Sequence, residues 1–205
     1  MADKRQDMIA DYADLLVTAG EYVGRNDFAH IFPRLVGLAE MKLNRQLRVA
    51  DMERTEAVTV TEGSGPLPEG FLEARSVQTA SGRVLRSYSI QALESAAQGC
   101  PDVPFAFAVQ GRNVIIRPVW SGVLTFSFYG KIPGLSPANH KNWLLETAPD
   151  IYLYAVVEEI SIWAKDPQGA AAAAGIKTQM LSDLRSDDER SRFGQNRVRI
   201  GGVTP

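Results

Sequence analysis

The sequence predicts an α+β fold, mainly α: a four-helix bundle with a β-rich insertion between its two helical hairpins. Three observations carry this expectation. Apolar residues recur at helical spacing over the first fifty residues and again after Pro133. Between about 55 and 132 they alternate with period two instead. Clusters of Gly and Pro, and an Asp-Pro step, punctuate the elements. The implied division is 1–54 as one helical hairpin, 55–132 as the insertion, 133–193 as the second hairpin and 194–205 as a flexible C-terminal arm.

Residues 7–23 read as a helix because Met8, Tyr12, Leu15, Leu16, Ala19 and Val23 share a stripe. A second helix runs from about Phe28 to Val49 on Phe32, Leu35, Val36, Ala39, Leu43 and Leu47. Pro33 lies near its start, where a missing N–H is tolerated. Arg34, Glu40, Lys42, Arg45 and Arg48 fall off the stripe.

A short strand at 57–60 is followed by the turn-rich "EGSGPLPEG". The glycines of "GSG" (63–65) lie between strand signals with no helix behind them, so they read as a hairpin loop and not a phosphate cradle. Residues 71–79 and 83–89 read as strands and 89–97 as a short helix. Residues 104–110 and 113–119 form a hairpin around Gln110-Gly111-Arg112-Asn113. In 122–130, Leu124, Phe126 and Phe128 share one face and Thr125, Ser127 and Tyr129 the other.

The stretch "NWLLETAPDIYLYAVVEEISIWAKD" (142–166) is apolar around most of its circumference. From Pro149 to Ala164 it offers 16 residues, including Asp150, Glu158 and Glu159. A membrane span needs ~20 mostly apolar residues. The helix is therefore buried, inside the fold or between subunits, and Tyr154, Val157, Ile160 and Trp163 are expected in its core. Thr147-Ala148-Pro149-Asp150 fits a capping box. Asp166-Pro167 ends this helix and opens the next, with Asp166 as N-cap. Residues 168–193 should pack closely through their alanine run and be solvated later.

The formal charge of −2 is unevenly spread. Residues 190–205 hold four arginines and no acid, which leaves 18 basic and 24 acidic residues elsewhere. A basic tail on an acidic body points to a partner for the tail. Within it, Arg197, Val198, Arg199 and Ile200 alternate as a strand added to a neighbour's sheet edge would. A tail this polar is expected to order only on binding. Cys100 is the single cysteine, so no intrachain disulfide forms and a reducing compartment is expected. The start, "MADKRQDMIADY", has no apolar run of signal-peptide type.

Little here reads as catalytic. Glu158 and Glu159 are consecutive, about 100° apart on a helix, and cannot act as an acid/base pair on one group. They read as partners in ion pairs with Arg45 and Arg48, within or between subunits. Arg45 and Arg48 with Lys42 otherwise read as a solvated face, or as one that meets DNA or an acidic neighbour. His30 and His140 have no further ligands at metal-binding spacing, and Cys100 has no suitably spaced His. No metal, cofactor or enzymatic activity is expected.

Several phrases resemble the head-to-tail adaptors of tailed phages, also called connector or head-completion proteins, especially those of short-tailed phages. They are "LAEMKLNRQLRVADME" (38–53), "LPEGFLEARSV" (67–77), "VIIRPVWSGVLTFSFYGKIPGLS" (114–136) and, nearest of all, "NWLLETAPDIYLYAVVEE" (142–159). They occur in the same order over about residues 10–165. The resemblance implies a structural virion protein that is assembled in the host cytoplasm. It forms a ring, commonly of twelve copies, under the portal protein, and it docks a tail or nozzle protein. Packaged DNA would pass through the lumen without sequence-specific binding, and no membrane is involved. Templating by the portal implies that the isolated chain is mainly monomeric. The competing reading is a DNA-binding module of a phage or mobile element, against which the net charge of −2 argues.

Overall fold

Near residue 50, where the hydrophobic period changes, the chain also changes architecture. The computed structural model describes residues 8–96 and 103–193. In chain order the elements are α1 (Tyr12–Val23), α2 (Phe32–Gln46), β1 (Glu53–Val60), β2 (Ser64–Pro66), β3 (Phe71–Thr79), β4 (Arg86–Ser87) and α3 (Ile90–Ala96). Then come β5 (Ala106–Gln110), β6 (Asn113–Arg117), β7 (Gly122–Gly130), α4 (Trp143–Thr147), α5 (Pro149–Trp163) and α6 (Pro167–Phe193). The fold is mixed α+β in two compact units. One takes the chain up to Ala50 and from Ile132 on, and the other takes Asp51–Lys131.

In the Asp51–Lys131 unit, one sheet has the order β1-β7-β3 and the other β2-β6-β5-β4. All pairings are antiparallel except β4 with β5. Period-two alternation on β7 drives Leu124, Phe126 and Phe128 inward, where they share a core with Val58, Val77, Phe107, Val114 and Ile116. On the other face of β5 the small Ala106 and Ala108 pack with Leu93 of α3. The β5–β6 hairpin closes through Gly111 at φ 62°, a left-handed value that glycine adopts at little cost. Of the "GSG" glycines, Gly63 lies in the expected turn, at φ 77° inside the Thr61–Ser64 bridge, while Gly65 departs from the loop. Ser64 and Gly65 belong to β2, which pairs with β6. A side chain on Gly65 would meet the Thr59 carbonyl, so its absence permits the close approach. The strand expected over 83–89 shrinks to Arg86–Ser87.

In the other unit, α5 packs against α1, α2, α4 and α6. Its apolar circumference is used: Ile151, Tyr152, Ala155, Val156, Val157 and Ile160 are all buried. Two expected core residues are not. Tyr154 is half-buried, its ring edge-on to Tyr22 at 5.5 Å. Trp163 is 39% exposed. It ends α5 beyond the last packed turn, and its ring lies under the Arg25 guanidinium at 5.3 Å.

Helix ends follow the local chemistry. Asp11 caps α1 by accepting from the N–H groups of Ala13 and Asp14, and Gly24 ends it at φ 67°. Asp166 caps α6 through the Gly169 N–H at 3.0 Å. The expected capping box at Thr147 does not form. Thr147 ends α4 instead, Ala148 stands between the helices and α5 opens on Pro149 without a side-chain cap. The cap in this region is Asn142, which starts α4 by accepting from the Leu145 N–H. Arm residues 194–205, with Arg197, Val198, Arg199 and Ile200, lie outside the described residues.

Candidate functional site

The polar groups of the helical unit gather in two networks around α5. The first contains Glu158 and Glu159, which are 8% and 5% exposed. A buried carboxylate needs a cation or several donors to stay charged. Glu158 has both. Lys42 of α2 donates to its Oε1 at 2.8 Å and Lys177 of α6 donates to its Oε2. Lys42 also sits 2.5 Å from Glu159 Oε1, in an ion pair whose geometry gives that oxygen no hydrogen bond. Burial works against the charge on Glu158, but the bonds from Lys177 and Lys42 more than offset it and draw its carboxyl below the ordinary value. Lys42, although desolvated, is pushed up by the two carboxylates.

Lys177 is 4% exposed. It lies between Ala173 and Leu181 on the one face of α6 that packs inward, four residues from each. The cations that meet Glu158 are thus two lysines. Arg45 lies exposed on α2 and donates to Met41 Sδ at 3.8 Å. Arg48 Nη1 donates to the carbonyls of Asn44 and Leu47.

The second network ties the returning chain to α2. Tyr152 donates to Glu40 Oε1 at 2.6 Å, and the Leu135 N–H donates to the same oxygen at 2.6 Å. Asn142 bridges the Tyr152 hydroxyl at 2.9 Å and the Pro133 carbonyl at 2.6 Å. Asn44, one turn beyond Glu40, accepts from the Ile132 N–H at 2.9 Å. Burial raises the pKa of Glu40 despite these donors, and burial with the nearby Glu40 charge raises that of Tyr152. Lower on the same seam, Asp188 of α6 accepts from the Ala50 N–H at 2.8 Å and Arg185 donates to the Gln46 carbonyl. The second half of α6 is therefore attached rather than merely solvated.

Neither network exposes a reactive group. A cleft of about 390 Å³ opens between α1, α5 and α6, with Val157, Ile160, Ala172 and Ala173 on its wall beside the polar Tyr22, Arg25, Ser161 and Asp166. Among the described residues, no group of three His, Cys, Asp or Glu side chains could hold a metal ion. No helix there is long and apolar enough to cross a membrane.

What the helical unit does present, among the described residues, is an exposed helix face. Arg34, Gly37, Leu38, Met41 and Arg45 of α2 point to solvent, with Leu38 44% and Met41 48% exposed. An apolar stripe between two cations is chemistry for association. No curated protein matches the chain. The family model for the SU10 adaptor protein matches residues 10–200, nearly the whole sequence. The chain therefore belongs to the SU10 adaptor protein family, whose members are structural head-to-tail adaptors of tailed-phage virions.

Proposed function

We propose that copies of this chain form a ring, of about twelve subunits, beneath the portal protein, extend the DNA channel and dock a tail or nozzle protein. Membership of the adaptor family is the observation that carries this reading. In it, α1, α2, α5 and α6 act as a four-helix bundle built from residues 1–54 and 133–193, with 55–132 as the insertion. The packing of α5 against α1, α2 and α6 supports the bundle. The buried charge cluster is structural, since Glu158 is already paired within the chain by Lys42 and Lys177. Among the described residues Arg45 meets no carboxylate, which leaves it open to a neighbouring subunit. The arm 194–205 is the portal-binding segment, with Arg197 and Arg199 meeting acidic groups and Val198 and Ile200 filling shallow pockets.

The test is the mass of the complex formed with the purified portal protein of the same phage, measured by native mass spectrometry. Several copies per portal ring are expected, and a portal that binds none sinks the proposal. Deleting 194–205 should leave the melting temperature unchanged and abolish stable attachment. Equal binding by the truncated chain moves the docking surface onto the helices.

A further inference from the structure

The exposed stripe of α2 has a counterpart on α6. Arg34, Gly37, Leu38, Met41 and Arg45 are spaced at 0, 3, 4, 7 and 11. Ala172, Gly175, Ile176, Gln179 and Asp183 repeat that spacing, and all ten residues are exposed. Set side by side in parallel, the two stripes place Leu38 on Ile176, glycine on glycine and Arg45 on Asp183, over about 16 Å of helix.

Three observations favour this match. The first is charge. Among the described residues Arg45 has no ion-pair partner, and the Asp183 carboxylate is bonded only by Gln179, at 3.0 Å, so the match brings together two charges that lack a counter-charge. The second is the glycines. An interior helical glycine costs about 1 kcal/mol relative to alanine. A Cβ on Gly37 or Gly175 would meet nothing within 4 Å, so no contact among the described residues requires either one. A second helix backbone approaching closely would require both. The third is direction. Lys42 and Lys177 share Glu158, Arg185 reaches the Gln46 carbonyl and Asp188 the Ala50 N–H. Numbering thus rises together along both helices, so α2 and α6 run the same way. For a rotation axis that runs along the helices, that direction is preserved, and α2 of one copy would meet α6 of the next in parallel.

On the reading of the chain as a ring-forming adaptor, we propose that successive copies join through this contact, the α2 stripe of one on the α6 stripe of the next. Two different surfaces make the contact heterologous, the kind that closes rings rather than stopping at dimers.

The test uses the full chain in a Cys100→Ser background, bound to the purified portal protein of the same phage. Leu38→Cys with Ile176→Cys, both at exposed sites, should give under mild oxidation a ladder of covalent species beyond the dimer. Either cysteine alone should not. Gly37→Leu fills open space in the monomer and leaves its melting temperature unchanged or higher, but it should weaken association at least about tenfold by overpacking the contact. Arg45→Asp should lower ring yield, and adding Asp183→Arg should restore it. Several copies per portal without a ladder, or with Gly37→Leu assembling as before, overturns this contact and leaves the ring reading standing. At most one copy per portal overturns both.

Discussion

Lys177 is where the helical unit is most sensitive to a single change. Lys177→Met removes a buried ammonium and keeps the length of the side chain. Glu158 would remain 8% exposed with one cation, Lys42, at 2.8 Å. Breaking a buried pair by deleting one partner costs about 3–5 kcal/mol. The Lys42 side chain is 36% exposed and stays in place, so the loss belongs at the lower end, about 3 kcal/mol. For a chain of this size that lowers the midpoint by roughly 6–12 °C. Thermal unfolding followed by the helical circular-dichroism signal reads the right unit, because every helix except the short α3 lies in it. The informative comparison is the double variant Lys177→Met with Glu158→Leu. It removes both charges and leaves Lys42 to Glu159. Replacing a buried pair by apolar groups is commonly neutral or stabilising, so stability should return to within about 1 kcal/mol of the unaltered chain. A single variant that costs under about 1 kcal/mol, or a double variant as unstable as the single one, refutes the view that Glu158 depends on Lys177.

Ile160→Ala, at a residue 0% exposed, should cost roughly 2–5 kcal/mol. Trp163→Ala loses mainly the stacked Arg25 and should cost about 1 kcal/mol or less, both read from urea midpoints. Asp166→Ala removes the α6 cap and should cost about 1 kcal/mol by the same measurement. The pH dependence of two carboxylates should have opposite signs. Glu158 has a folded pKa below its ordinary 4.5, so its stabilisation is full above that value and lost as pH falls through the folded one. Glu40 has a folded pKa above 4.5, so its contribution is full below 4.5 and lost as pH rises through the folded value. From pH 7 towards pH 3, the unaltered chain should therefore lose its advantage over Glu158→Gln and gain relative to Glu40→Gln.

Elements whose burial is one-sided were legible in the sequence. Strands 71–79 and 122–130 were read with their structural bounds because side chains alternate about one packed face. The burial of α5 was legible because so little of its circumference is polar. What could not be read was who supplies the partners. Lys42 and Lys177 lie 116 and 19 residues from Glu158, and nothing local marks a lysine in an alanine run as buried except its spacing from Ala173 and Leu181. Glu40 falls off the apolar stripe and Asn44 is a polar residue one turn on, so neither was marked by the pattern. They form instead the seam that receives Ile132 and Leu135. Thr147 carried the sequence signature of a cap, but a short separate helix, α4, uses it as a last residue. Trp163 looked like core because period alone does not say where a helix outruns its neighbours.

The pairing of β1 with β7 bears on the order in which this chain can fold. The Lys42–Glu158 contact closes a loop of 116 residues, and the helical unit cannot complete itself while that segment is an open coil. Glu53 pairs with Tyr129 at the mouth of the β1–β7 ladder. Once the ladder forms, the remaining free path from Lys42 to Glu158 falls to about 40 residues, and the entropic cost of closure drops by roughly 1 kcal/mol. If the ladder closes early it acts as a clasp, and the steps after it should be faster. Substitutions within it should slow refolding of the helical unit, while substitutions on α6 should act mainly on the rate of unfolding.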